Sequence, residues 1–126
     1  MTSTIPEVPT PDSLDDLRKQ LAAFAAERDW AQFHSPKNLA MALIAECAEL
    51  VEHFQWLTEE QSAALEESKR EAVSEELADV LIYLIRIADQ LDIDLMDAAQ
   101  KKIAKNEHRY PAERVRGDAR RASEYE

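Results

Sequence analysis

LAMALIAECAELVEHF, residues 39–54, and VSEELADVLIYLIRIADQL, residues 73–91, are two apolar runs at helical spacing, and each carries a pair of acids. The acids stand three residues apart in both runs, as Glu46 with Glu49 and as Glu76 with Asp79. Residues three apart share one face of an α-helix. Each run therefore predicts a helix that packs into a core and points two carboxylates the same way.

Four carboxylates in two facing pairs predict a divalent cation. Acids that repel one another on a core-facing helix cost stability unless a charge neutralises them, and a hard cation with oxygen ligands does so. Oxygen-only ligands favour Mg²⁺ or Mn²⁺ over zinc. Mg²⁺ held by carboxylates normally takes substrate phosphates as further ligands, which predicts nucleoside triphosphate chemistry with a remaining carboxylate orienting or deprotonating water.

Two other interpretations stay open at this point. The acids can form a solvated face, in which case the chain is a non-enzymatic helical interaction module that binds a basic partner. A di-iron carboxylate bundle has the same architecture, but it uses a histidine three residues after a glutamate. His53 stands four residues after Glu49 and next to Glu52, so the spacing disfavours iron.

Composition narrows the class of protein. The 126 residues suffice for one domain, and the single glycine, Gly117, excludes a glycine-rich phosphate loop. The single cysteine, Cys47, and the absence of any apolar run of membrane-spanning length predict a cytoplasmic protein with no membrane partner. The net charge of −11 opposes binding to a nucleic acid polymer. Eight of the fifteen basic residues nevertheless fall within residues 101–121, which favours a small phosphorylated ligand.

Capping signals and hydrophobic periodicity predict four helices and no strand. The predicted helices begin after Ser13, at Ser35-Pro36, near Ser74 and after Asp94, and they end near Arg28, Trp56, Leu91 and Arg109. A polar connection at residues 58–70 contains Thr58 and Gln61, which can cap a short helix. The prediction is an all-α four-helix bundle with a flexible segment at 1–12, a helical domain at 13–111 and a charged tail at 112–126. Because the fourth helix has few large apolar residues, we expect dimerisation to complete the bundle.

Aromatic and imidazole side chains near the acidic pairs are candidates for binding a nucleobase. Trp30 and His34 lie between the first two helices, Trp56 follows the second, and Tyr83 stands one helical turn beyond Asp79. Flat apolar surfaces with a few hydrogen-bonding groups are what a base requires. The face of the third helix continues from Glu76 through Asp79 and Tyr83 to Arg86.

The ExxE and ExxD phrases resemble the signature of the all-α MazG-like nucleotide pyrophosphohydrolases. The similarity is closer to the dCTP pyrophosphatase branch and spans about residues 14–111. It rests on FAAERDWxQFHxPxNL at 24–39, FQW at 54–56, EELxDVLIYL at 75–84 and NxxRYP at 106–111.

The resemblance implies Mg²⁺-dependent hydrolysis of a deoxynucleoside triphosphate to the monophosphate and pyrophosphate, which removes unwanted nucleotides from the pool. It implies that Glu46, Glu49, Glu76 and Asp79 bind the metal, that Trp30, Trp56 and Tyr83 line the base pocket, and that Lys102, Asn106 and Tyr110 contact phosphate, sugar or base. Glu52 and Glu75 adjoin the signature and are candidates for secondary roles. The resemblance also implies a homotetramer built as a dimer of dimers. One position departs from the pattern: Leu21 stands where the animal enzymes carry histidine, which puts cytosine selectivity in question.

Overall fold

The computed structural model describes residues 10–120 and 122–125, in which every regular element is helical. The six α-helices are α1 Leu14–Glu27, α2 Pro36–Glu52, α3 Glu59–Ala63, α4 Glu67–Gln90, α5 Leu95–Arg109 and α6 Ala112–Val115, with 3₁₀ turns at Ala31–Phe33 and Ala122–Tyr125. The predicted all-α class is confirmed. Most of the segment predicted to be flexible, residues 1–9, lies outside the described residues. Among the helices described, none is both long enough and apolar enough to cross a lipid bilayer.

Local capping signals set the starts of four helices where the sequence predicts them. Hydroxyl or carboxylate oxygens of Ser13, Ser35, Thr58 and Asp94 accept hydrogen bonds from the backbone N–H groups three residues later, at 3.0 to 3.1 Å. At Thr58 the bond is reciprocated, because the Gln61 side chain accepts from the Thr58 N–H. These bonds satisfy backbone donors that have no partner inside a helix.

Two predicted boundaries are wrong. The helix expected to begin near Ser74 begins earlier, at Glu67, after an N-cap residue, Glu66, that makes no side-chain capping bond. Neither apolar periodicity nor a cap marks that turn in the sequence. The helix expected to reach Trp56 ends at Glu52, and turns follow it.

The described residues divide into two compact units, one ending at Asp92 and the other beginning at Ile93. In the first unit α4 is central, with α2 packed along it and α1 against it. The buried apolar residues are Ala25, Leu39, Val73, Ile85 and Ala88. The second unit contains α5, α6 and the last 3₁₀ turn.

Much of the apolar surface that the periodicity assigns to the core is exposed in the single chain. On α2 the exposed fraction is 68% for Ile44 and 58% for Val51, and on α4 it is 52% for Leu77 and 40% for Leu81. The prediction that these residues face the core is therefore wrong for one chain alone. The periodicity identifies an apolar face, and a face buried between chains gives the same periodicity as one buried within a chain.

The end of α1 turns the chain toward the first predicted base-binding residue. Asp29 adopts a left-handed conformation with φ of 54°, and the Trp30 N–H donates to the Ala25 carbonyl at 2.9 Å. This bond closes a Schellman-type helix end. The turn places the Trp30 ring against Phe24, edge to face with centroids 5.7 Å apart.

We predict that Leu39→Ala destabilises the protein by about 2–5 kcal/mol, because the Leu39 side chain is only 2% exposed and its loss leaves a cavity. Urea unfolding followed by circular dichroism measures the change. The matched control Leu39→Met keeps most of the volume and should cost less than about 1.5 kcal/mol. Equal stability of Leu39→Ala and the parent chain would show that Leu39 is not a core residue.

Candidate metal and nucleotide site

The packing of α2 against α4 brings three of the four predicted metal ligands together. Carboxylate oxygens of Glu46 and Glu49 on α2 and of Glu76 on α4 lie within 4.8 Å of one another. Glu46 and Glu76 are half-buried, whereas Glu49 is exposed. We call these three residues the carboxylate cluster.

Asp79, the fourth predicted ligand, stands beside the cluster but is not among the three converging groups. It is half-buried and lies one helical turn after Glu76 on α4. Its negative charge is close enough to Glu46 to raise the pKa of that carboxyl. Asp79 therefore adds to the negative potential of the cluster.

Mutual repulsion and hydrogen bonding shift the pKa values of two cluster members upward. Hydrogen bonds to Glu46 and Glu49, then burial and the charges of the same two groups, raise the pKa of Glu76 from 4.5 to about 8. The hydrogen bond with Glu76 lowers the pKa of Glu46, but burial and the effects of Glu49 and Asp79 outweigh it, so that this pKa is also raised. The crowded cluster therefore keeps protons to higher pH than isolated glutamates do.

Two oxygens of the carboxylate cluster lack a hydrogen-bond partner among the described residues. Glu46 Oε2 and Glu76 Oε2 are buried, and no donor of the described chain reaches either atom when both groups are ionised. Buried polar atoms are nearly always satisfied. A shared proton or a cation would supply a partner for these oxygens. A set of donors made only of oxygens fits Mg²⁺ or Mn²⁺. The residues present thus fit a hard divalent cation.

The predicted base-binding aromatics lie in the first unit and differ in their exposure to solvent. Trp56, in the turns after α2, is 86% exposed, and Trp30 is 45% exposed beside Phe24. Tyr83 is half-buried on α4, one turn beyond Asp79. Their contact with a base stays a prediction.

His34 contacts a residue to which sequence reasoning gave no role. Nε and Nη2 of Arg86 each lie 3.4 Å from Nδ1 of His34. Arg86 is 4% exposed, although it carries a charge. The available signal was a lone arginine inside the apolar run of α4, on the face of Glu76, Asp79 and Tyr83. Its partner, 52 residues earlier, has no local signature.

Lys102, Asn106 and Tyr110 belong to the second unit. They recur at intervals of four along α5 and its C-cap, and the Tyr110 N–H donates to the Asn106 carbonyl at 2.8 Å. Lys102 and Asn106 are exposed, and Tyr110 is half-buried. Spacing of four places the three on one helix face, and their contact with a nucleotide stays a prediction.

Comparison with known proteins gives the same family at the level of sequence and of fold. Human dCTP pyrophosphatase 1 is 47% identical over 114 residues, covering 89% of this chain and 67% of the human protein. The mouse protein of that name is 48% identical over 109 residues, covering 85% of this chain and 64% of the mouse protein. The chain thus spans about two thirds of the length of these curated relatives.

A crystal structure of a pyrophosphatase from Archaeoglobus fulgidus matches with a TM-score of 0.74 and 36% identity, covering 83% of this chain and 99% of that one. The sequence profile of the MazG-like family matches residues 42–124, which include all four predicted metal ligands. The chain belongs to the MazG-like family.

Proposed function

We propose that this protein is a Mg²⁺-dependent pyrophosphohydrolase that converts dCTP, or a related or modified deoxynucleoside triphosphate, to the monophosphate and pyrophosphate. The observation that carries the proposal is the carboxylate cluster with its two buried oxygens that lack donors. Support for the substrate comes from the human and mouse relatives, which are named dCTP pyrophosphatase 1. An acidic helical interaction module accounts for the negative charge but not for the convergence of three carboxylates on two helices.

Glu46, Glu49 and Glu76 would hold the ion, with Asp79 at the edge of the cluster. A bound divalent cation neutralises phosphate charge and makes the phosphorus more open to attack. Glu76 must release its proton for the site to load, because a metal ligand acts in its deprotonated form. A carboxylate that is not taken up as a ligand orients or deprotonates the attacking water. The water oxygen bonds to the α phosphorus, and the bond from that atom to the bridging oxygen breaks and releases pyrophosphate.

The nucleoside would lie along the face of α4 that continues past Asp79. Tyr83 is the next residue on that face, and His34 lies against Arg86 farther along it. Trp30 and Trp56 offer exposed rings for stacking. The family resemblance also makes Lys102, Asn106 and Tyr110 of α5 and its C-cap candidates for nucleotide contact.

We also propose that the protein is a homo-oligomer, a tetramer built as a dimer of dimers, with the exposed apolar faces of α2 and α4 at the interface. Support comes from the exposure of large side chains that recur at helical spacing: Met41, Ile44 and Val51 on α2, and Leu77, Leu81 and Leu84 on α4. Contiguous apolar patches of this kind mark interaction sites. A second copy of the chain offers the same faces in return.

We predict that Glu49→Gln or Asp79→Asn abolishes Mg²⁺-dependent pyrophosphate release, because either change removes a charge at the cation site. Pyrophosphate release across the canonical and 5-substituted dNTPs measures the activity. The control Glu71→Gln removes an exposed acid of α4 that is not part of the carboxylate cluster, and it should retain activity. Full activity of Glu49→Gln or Asp79→Asn would show that these acids are only a surface face. No Mg²⁺-dependent hydrolysis of any nucleotide by the parent chain would rule out the enzyme.

We predict that the metal-free protein becomes less stable as pH rises. Glu76 has a pKa of about 8 in the folded chain against 4.5 in the reference state, so the folded chain keeps a proton that the unfolded chain loses. The stabilisation is complete below about pH 4.5 and declines as pH rises through about 8. Urea unfolding in a chelator at several pH values measures the decline, and Mg²⁺ should restore stability most at high pH.

The control for this pH dependence is Glu76→Gln, whose amide stays neutral and removes the contribution of the titrating group. If the parent chain and Glu76→Gln lose stability equally with rising pH, the proton is not held at Glu76. If Mg²⁺ raises the unfolding temperature of neither protein, the cluster is not a cation site.

We predict that Ile44→Glu or Leu81→Glu lowers the oligomeric state measured by sedimentation, because each places a charge in an apolar interface. The control Ala64→Glu adds the same charge at an exposed position outside both faces and should leave assembly unchanged. An unchanged assembly in both interface variants would place the interface elsewhere.

A further inference from the structure

Arg86 is the buried charge of the first unit. Among the described residues it is the charged side chain with the lowest exposure, 4%, and it lies on α4 between the core residues Ile85 and Ala88. Burying a guanidinium is costly unless it is paired and hydrogen-bonded. We therefore expect the N–H donors on both edges of the Arg86 guanidinium to have partners.

The two sets of donors go to different partners. Nη1 donates to Asp89 Oδ2 at 3.1 Å, and Asp89 Oδ1 in turn accepts from Arg18 Nη1 at 3.0 Å. This chain of ion pairs balances the charge and ties α1 to α4. The other edge of the guanidinium, Nε and Nη2, is directed at one atom, Nδ1 of His34, at 3.4 Å from each donor.

The chemistry of the two groups fixes the state of the imidazole. A guanidinium has only donors and stays protonated in proteins. Nδ1 of His34 must therefore accept, which leaves the proton of the neutral ring on Nε2. Burial and the positive charge of Arg86 both lower the pKa of His34, in line with a neutral ring. Arg86 is the charged group that contacts the ring, with Asp89 and Arg18 behind it.

Arg86 and His34 stand at a distance from the carboxylate cluster that suits contact with the nucleoside of a bound nucleotide and not with its phosphates. Arg86 lies seven residues beyond Asp79 on α4, which is two turns or about 10 Å along the helix axis. A nucleotide with its phosphates at the carboxylate cluster extends its base over a comparable distance. His34 also follows the 3₁₀ turn that begins next to Trp30, and it is half-buried.

We propose that Arg86 is a positioning residue that holds His34 in the neutral form with the proton on Nε2, so that His34 donates a hydrogen bond to N3 of a cytosine base. The contact with the base rests on the function proposed above. In cytosine N3 is an acceptor, whereas in thymine and uracil N3 carries a hydrogen and would oppose the donor. A donor fixed at His34 therefore favours dCTP over dTTP and dUTP.

The state of the ring is tested first, without substrate. Nitrogen NMR of the imidazoles in the intact, ¹⁵N-labelled chain distinguishes protonated from unprotonated ring nitrogens. We expect an unprotonated Nδ1 and a protonated Nε2 for His34, and a second tautomer appearing in Arg86→Met. A proton on Nδ1 of the parent chain, or the same tautomer mixture in parent and variant, would overturn the assignment.

The base contact is tested by the ratio of kcat/KM for dCTP to that for dTTP. We expect Arg86→Met and His34→Phe to lower this ratio roughly tenfold, chiefly by raising KM for dCTP, since one hydrogen bond is lost. The control Arg18→Met also removes an ion pair with Asp89 but does not touch His34, and it should keep the ratio within about twofold. Circular dichroism identifies variants that fail to fold, and His34→Phe leaves the buried arginine in place.

Different outcomes test the base contact and the proposed enzymatic function. An unchanged ratio in a folded His34→Phe would overturn the base contact, even if the parent chain hydrolyses dCTP. Failure of the parent chain to hydrolyse any dNTP would overturn the proposed function and the base contact together. The NMR measurement would still decide whether Arg86 fixes the tautomer.

Discussion

Repulsion among carboxylates on two packed helices is the constraint on which the rest of this structure depends. Packing of α2 along α4 brings Glu46, Glu49 and Glu76 within 4.8 Å, although their charges oppose that packing. The same crowding raises the pKa of Glu76 to about 8, and a bound cation would offset the repulsion directly. The same helix pair therefore provides the scaffold of the proposed metal site and the repulsion that a cation would relieve.

The first unit has a small core, so the packing of α2 along α4 has little buried apolar surface to stabilise it within one chain. Five apolar residues are buried in the described chain, whereas whole apolar stripes of α2 and α4 remain exposed. A helix pair that carries repelling acids on one face gains most from burying the other face. Covering these stripes with a second chain would stabilise α2 and α4 in the relative position that the carboxylate cluster requires.

The sequence predicted what is local and missed what depends on distant contacts. Caps at Ser13, Ser35, Thr58 and Asp94 are local hydrogen bonds, so their residue types identify them. The three converging acids followed from spacing plus the pairing of two helices. The start of α4 was missed because Glu66 makes no capping bond, and the exposure of Ile44 was missed because periodicity does not tell which chain covers a face. The contact between Arg86 and His34 depends on packing across 52 residues, which no spacing encodes.

For base selectivity, the family resemblance and the packing of the chain direct attention to different residues. The family resemblance directs attention to Leu21, where a histidine is missing from α1. Leu21 stands one turn after Arg18, which pairs with Asp89 and so belongs to the helix face that packs near Arg86. An imidazole is not lost from this unit, because His34 supplies one on the other side of Arg86. A guanidinium can only donate hydrogen bonds, so its contact with Nδ1 leaves one tautomer for His34. A free histidine can present either a donor or an acceptor to a base. In the proposed contact, His34 held by Arg86 would recognise an acceptor at N3 without a histidine at position 21.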